Sequence, residues 1–277
     1  MNTDSLNILF IGNSFSECTC AYLYDFFTEL GVPTFNIAAL KISGCTLNMH
    51  WQNAQTDAPS YLFFRYTTSG DRETVSDSYT LKDGISSCQW DWIIFSDGAA
   101  GFCDPASAES FRSLLQYVKA LATPGKTRFS FNMTWPWEPG FAKYAERFDG
   151  SPDVMFHTMV SILREYVLPE PDIACILPNG TAIRKALLTG RAPALYRDGY
   201  HLNANGCFLI SLTTAYTLLK YTYGDRYDIS RYGIPCLPTA PHRTNGSFIR
   251  TLEPEYADLY LEAVTAALAD PLGMEEN

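Results

Sequence analysis

The chain has 277 residues, 47% of them hydrophobic and 18% charged, which is enough to bury a full core as one large domain. Its 20 Lys and Arg stand against 30 Asp and Glu, a net charge of −10 that repels phosphate backbones and anionic headgroups and so argues against nucleic acid or a membrane surface as partner. The eight cysteines (Cys18, Cys20, Cys45, Cys88, Cys103, Cys175, Cys207 and Cys236) are scattered, with no C-x-x-C at metal-ligand spacing, so they read as buried thiols, with neither a metal site nor disulfide staples. No run approaches the roughly 20 apolar residues of a membrane span. Asp4 stands where a signal peptide carries basic residues, and the expectation is a cytoplasmic protein.

Residues 7–11, NILFI, form a short apolar run of the kind buried on both faces in a parallel sheet. Apolar residues at helical spacing follow over 20–31, ending at Gly31. A second strand is expected at 34–40, then an irregular stretch from Gly44 to Gly70 with at most a short helix. WDWIIFSDG (90–98) is another apolar run ending in a small polar turn. An amphipathic helix at 108–123, a strand at 128–135, a helix at 153–168, a strand at 172–178 and a long apolar helix at 205–224 complete the pattern. Strands alternating with helices predict an α/β fold, a three-layer α/β/α sandwich with a mainly parallel sheet. Residues 1–224 form the expected catalytic domain. Residues 225–277 form a carboxy-terminal extension that opens with proline-rich loop chemistry and ends in one helix (253–271) packed on the same domain, as a wrap or as a lid.

In an open parallel sheet, ligands sit outside the carboxyl ends of the strands, where loops meet helix amino termini. The first strand runs into Gly12, Asn13, Ser14, Phe15 and Ser16, placing Ser14 at such an edge. Taken alone, Ser14 or Ser16 is more simply a helix N-cap. A second stretch shifts that balance: YRDGYHLNANG (196–206) puts Asp198 and His201 three residues apart in a polar loop. A serine hydroxyl is a weak nucleophile unless a histidine takes its proton, and that histidine needs an acid to fix its tautomer.

The two stretches, in the order Ser, Asp, His, resemble the SGNH (GDSL-like) hydrolase superfamily over roughly residues 7–224. Gly12–Asn13–Ser14–Phe15–Ser16 is similar to the first block, G-D-S-(L/F)-(S/T), with Asn13 for aspartate; Asp198–Gly199–Tyr200–His201 matches the D-x-x-H of the last. ILFIGNSFS, SGCTLNMH, WDWIIFSDG, MTW, PNGTAI and DGYHLN look similar to a bacterial branch known only as a domain of unknown function. The resemblance implies a flavodoxin-like sheet. It also implies a serine esterase with Ser14 as nucleophile, His201 as base and Asp198 as its acid, the oxyanion held by the N–H groups of Ser14 and Gly44. The third block departs from the family: the G-x-N-D asparagine is replaced by Ala100, leaving Ser96 or Asn132 as the third donor.

The expected substrate is a small-molecule or glycan ester, an acetylated sugar by preference, because Trp51, Trp135 and Trp137 lie near predicted edge loops where rings stack on sugars. Asn132 and Trp135 are the candidate substrate contacts. No metal or organic cofactor is expected, and the oligomeric state is left open. Two other readings stand beside this one: a carbohydrate-binding or scaffold protein that keeps the fold without turnover, and, more remotely, a thiol enzyme built on Cys45 and His50.

Overall fold

The computed structural model describes residues 5–66, 72–235 and 254–274. Cys236 and the stretch after it, 237–253, lie outside the described residues. The fold is mixed α/β, a seven-stranded, mostly parallel sheet flanked by helices. Its strands are β1 (Leu6–Gly12), β2 (Phe35–Lys41), β3 (Tyr61–Tyr66), β4 (Arg72–Tyr79), β5 (Trp92–Ser96), β6 (Arg128–Asn132) and β7 (Ile173–Leu177), in the order β4-β3-β2-β1-β5-β6-β7. β1 pairs in parallel with β2 on one side and β5 on the other, and β5 pairs in parallel with β6. From β2 to β7 the strand order is that of a flavodoxin-like sheet, whose direction of winding reverses between β1 and β5.

The five residues of β5 and six of the seven of β1 are buried, which is why both read as continuous apolar runs rather than as alternating ones. Each such Leu, Ile or Phe contributes about 1.5–3 kcal/mol by leaving water.

Two regions differ from the expectation. The stretch expected to be irregular holds the helix Leu47–Thr56 and then β3, which with β4 extends the sheet antiparallel beyond β2. The helix expected at 20–31 begins earlier, at Ser14, and is broken before Leu23 into Ser14–Cys20 and Leu23–Glu29. Asn13 opens it: its side-chain carbonyl accepts the Phe15 N–H at 2.9 Å and its backbone carbonyl the Ser16 N–H at 3.1 Å.

The chain divides into two compact units. The first comprises Met1–Glu17, Pro33–Thr134 and Thr158–Ile176 and contains the sheet. The second comprises Cys18–Val32, Trp135–His157 and Leu177–Asn277. Its centre is the helix Ala204–Tyr223, fourteen of whose residues are buried, so it is apolar on every side instead of striped. Phe208 meets Phe26 edge-on at 4.9 Å, and the buried amide of Asn179 is satisfied by Thr214 at 3.0 Å. The helix Pro254–Ala269 packs in the same unit, with the Tyr260 hydroxyl donating to the Asn205 carbonyl at 3.1 Å.

Candidate active site

In the first unit, the ends of β1, β2 and β5 bring the segment bearing Ser14 and the turn bearing Gly44 together. Gly12 is needed for space: a Cβ there would run into Ser16 Oγ and come within 2.8 Å of the Ser96 Cβ. Gly44 is needed for conformation, with φ +67° and open space around it. Asn13 joins the two turns. Its Nδ2 donates to the Cys45 carbonyl at 2.9 Å while its Oδ1 accepts from Phe15, so the turn bearing Gly44 is tied to the turn bearing Ser14. An aspartate at this position has no N–H for that carbonyl. Behind them, the Asn132 amide donates to Ser96 Oγ at 3.2 Å, and both side chains are buried.

In the second unit, residues 196–202 fold back on themselves. Arg197 N–H donates to the His201 carbonyl at 3.0 Å, and Gly199 turns the chain at φ +88°, where a Cβ would drive into the Phe141 ring. Asp198 is exposed, and its carboxylate turns back onto His201. Its Oδ1 accepts the His201 N–H at 2.8 Å and its Oδ2 lies 2.8 Å from His201 Nδ1. Burial works against the charge on Asp198, but the His201 N–H, the His201 ring and the Tyr200 N–H outweigh it and hold the carboxyl below its ordinary value. An ionised carboxylate only accepts, so the His201 nitrogen that faces it, Nδ1, carries a proton.

The second unit also accounts for Trp135. This ring is 0% exposed, and its Nε1–H donates to the Tyr200 carbonyl at 2.8 Å, bracing the loop that carries His201. The Glu138 N–H does the same for the Gly199 carbonyl, at 2.8 Å. Trp137 is buried among Phe141, Tyr144 and Phe148, and Trp51 is half-buried with its edge toward Tyr117. The Tyr200 ring does reach solvent, 36% exposed, with its centroid 4.3 Å from that of His201.

Cys45 and His50 are poor thiol chemistry. Burial pushes the Cys45 thiol up to about 12, with the Asp97 carboxylate adding to the effect, and burial pushes His50 down to about 3. Neither the thiolate nor the imidazolium forms at neutral pH. Cys45 is therefore expected to stay unmodified by iodoacetamide at pH 8. Rapid alkylation at that position, mapped by peptide mass, would contradict this.

A model of the domain of unknown function DUF4886 matches residues 7–228. The chain belongs to this family. Among solved structures, the DUF4886 chain is similar to a DUF4886 family protein from Bacteroides uniformis, at 22% identity and TM-score 0.76, covering 99% of this chain and 98% of that one. It is also similar to a candidate SGNH hydrolase from Slackia heliotrinireducens, at 21% identity and TM-score 0.53, covering 77% and 99%. An acetylxylan esterase from Geobacillus stearothermophilus, in a catalytic-mutant form, follows at 14% identity and TM-score 0.48, covering 80% and 95%. None of the curated proteins matches. The DUF4886 chain thus shares its fold with an SGNH-type protein.

Sequence reasoning missed one group in this site. Asp97 follows Ser96 directly and is fully buried, although a charged residue after an apolar strand normally reads as the start of a solvated turn. The signal was the pairing of that charge with Gly98 and the close-packing Gly101.

Proposed function

We propose that this DUF4886 chain is a serine esterase of the SGNH type: Ser14 attacks the ester carbonyl, His201 takes its proton and returns it to the leaving alcohol, and Asp198 orients His201 and stabilises its charged form. The observation that carries the reading is the Asp198–His201 pair, in which the carboxylate lies 2.8 Å from His201 Nδ1, the contact by which this mechanism orients its base. The position of Ser14 at the helix start just after β1, beside the reversal point of a parallel sheet, supports its role. In this mechanism the oxyanion receives the N–H groups of Ser14 and Gly44. Ser96, whose Oγ already accepts from Asn132, has its hydroxyl proton to give as the third donor.

The proposed substrate is an acetyl ester on a carbohydrate, with the exposed Tyr200 ring as the stacking surface beside the base in place of Trp135. Replacing Tyr200 by alanine is expected to raise KM for glucose pentaacetate about tenfold, with turnover of p-nitrophenyl acetate nearly unchanged. Equal effects on both esters would remove Tyr200 from sugar recognition. The reading as a whole is tested by acetate release from both esters by the wild type and Ser14→Ala. Hydrolysis indifferent to Ser14 would put the carbohydrate-binding reading ahead.

A further inference from the structure

We propose that Asp97 is a positioning residue for this reaction, holding the Gly44–Leu47 turn and the Ser96–Gly98 turn in register so that the oxyanion donors are aligned before substrate arrives. The proposal rests on the esterase reading above.

Asp97 is 0% exposed, yet no cation pairs with it among the described residues. Three neutral donors surround it instead. The Gly98 N–H reaches Oδ1 at 2.7 Å, the Ser107 hydroxyl reaches Oδ2 at 3.1 Å, and the Leu47 N–H is the third. Leu47 opens the helix Leu47–Thr56, which Thr46 already caps through the Met49 N–H at 3.3 Å, so the helix start has its capping side chain without a carboxylate. What Asp97 adds is a link. One carboxylate joins the turn after β5 to the turn after β2, a second tie beside the Asn13–Cys45 bond that joins the turn after β1 to the same turn. Gly101 closes over it, because a Cβ there would lie 2.6 Å from Oδ1.

An unpaired buried carboxylate is costly to keep. Burial pushes Asp97 up to about 7 in spite of its three donors, and the other titratable groups facing it, the Cys45 thiol and the Asp104 carboxylate, do nothing to lower it. The ionised form accepts all three hydrogen bonds. The protonated form has an O–H of its own to place and gives up at least one of them. Turnover then depends on two ionisations on its acid side, one at the histidine base and one at Asp97.

The test is p-nitrophenyl acetate hydrolysis from pH 4.5 to 9 by wild type, Asp97→Asn and Ser107→Ala. In wild type, log kcat is expected to fall with a limiting slope of about two on the acid side. Asp97→Asn should reduce that slope to about one and lower the kcat plateau roughly tenfold, with KM within about threefold. Ser107→Ala keeps the carboxylate but removes a donor to its charged form, moving the upper acid ionisation up by about one pH unit. Stability supplies a separate readout. The folded-state value lies above the ordinary 3.8, so wild-type stability falls as pH rises from about 4 to about 7, and the Asp97→Asn protein lacks that fall.

A wild-type kcat and slope in Asp97→Asn, or a loss confined to KM, would overturn the proposal. If Asp97→Asn does not fold, an acid limb in Ser107→Ala at the wild-type position overturns it instead. A Ser14→Ala protein as active as wild type is a different failure, that of the esterase reading, and it takes this proposal down with it.

Discussion

Replacing Ser14 with alanine is expected to lower turnover of p-nitrophenyl acetate about 1000-fold or more, and replacing His201 with alanine should cost about as much. The two losses should not add. Without the base, the Ser14 hydroxyl stays protonated at neutral pH; without the hydroxyl, the base has nothing to activate, so the double variant sits near either single one. Both proteins should keep their fold. Ser14 lies in the first turn of a short helix that Asn13 opens by its own hydrogen bonds, so the hydroxyl is not needed to start it. The His201 backbone N–H to Asp198 survives the loss of the ring. A loss of activity accompanied by unfolding in both variants would make the effect structural and deprive the two residues of their assigned roles.

The second large effect is on stability. Trp135→Ala removes a fully buried indole and is expected to destabilise the protein by about 3–5 kcal/mol. Trp135→Phe fills most of the space but leaves the Tyr200 carbonyl without its donor, which should cost about 1 kcal/mol and lower kcat by loosening the hairpin that holds His201. A sugar-stacking Trp135 predicts the reverse pattern, a raised KM on carbohydrate esters with unfolding unchanged. Denaturant melts of the two variants beside their KM values separate the two roles.

The contrast around Trp135 shows what the sequence carries and what it does not. β1 and β5 were legible because strands buried on both faces are apolar throughout, and the contact of Asp198 with His201 was legible because three residues suffice to bring a carboxylate to an imidazole within one hairpin. The β3–β4 hairpin was not. β4 reads Arg-Glu-Thr-Val-Ser-Asp-Ser-Tyr, has one aliphatic residue, Val75, and is mostly exposed, so only its pairing with β3 makes it a strand. The helix Asn179–Leu188 was equally hidden, since Asn179 and Gly180 are turn residues until Thr214, 35 positions away, satisfies the buried amide. Asp97 belongs to the same class. Its burial is made tolerable by Ser107 and Leu47, neighbours that no local pattern reveals. Trp135 stood at the end of the strand expected at 128–135, near an edge loop; the strand ends at Asn132, and only the fold brings the Tyr200 carbonyl to the indole nitrogen.

The central claim, that Ser14 is a nucleophile made reactive by His201, is tested most directly by labelling with diisopropyl fluorophosphate followed by intact and peptide mass measurement. A single adduct on Ser14 is expected, absent in Ser14→Ala and formed about 1000-fold more slowly in His201→Ala. An adduct on another residue, or labelling of Ser14 at the same rate with and without His201, would contradict the account.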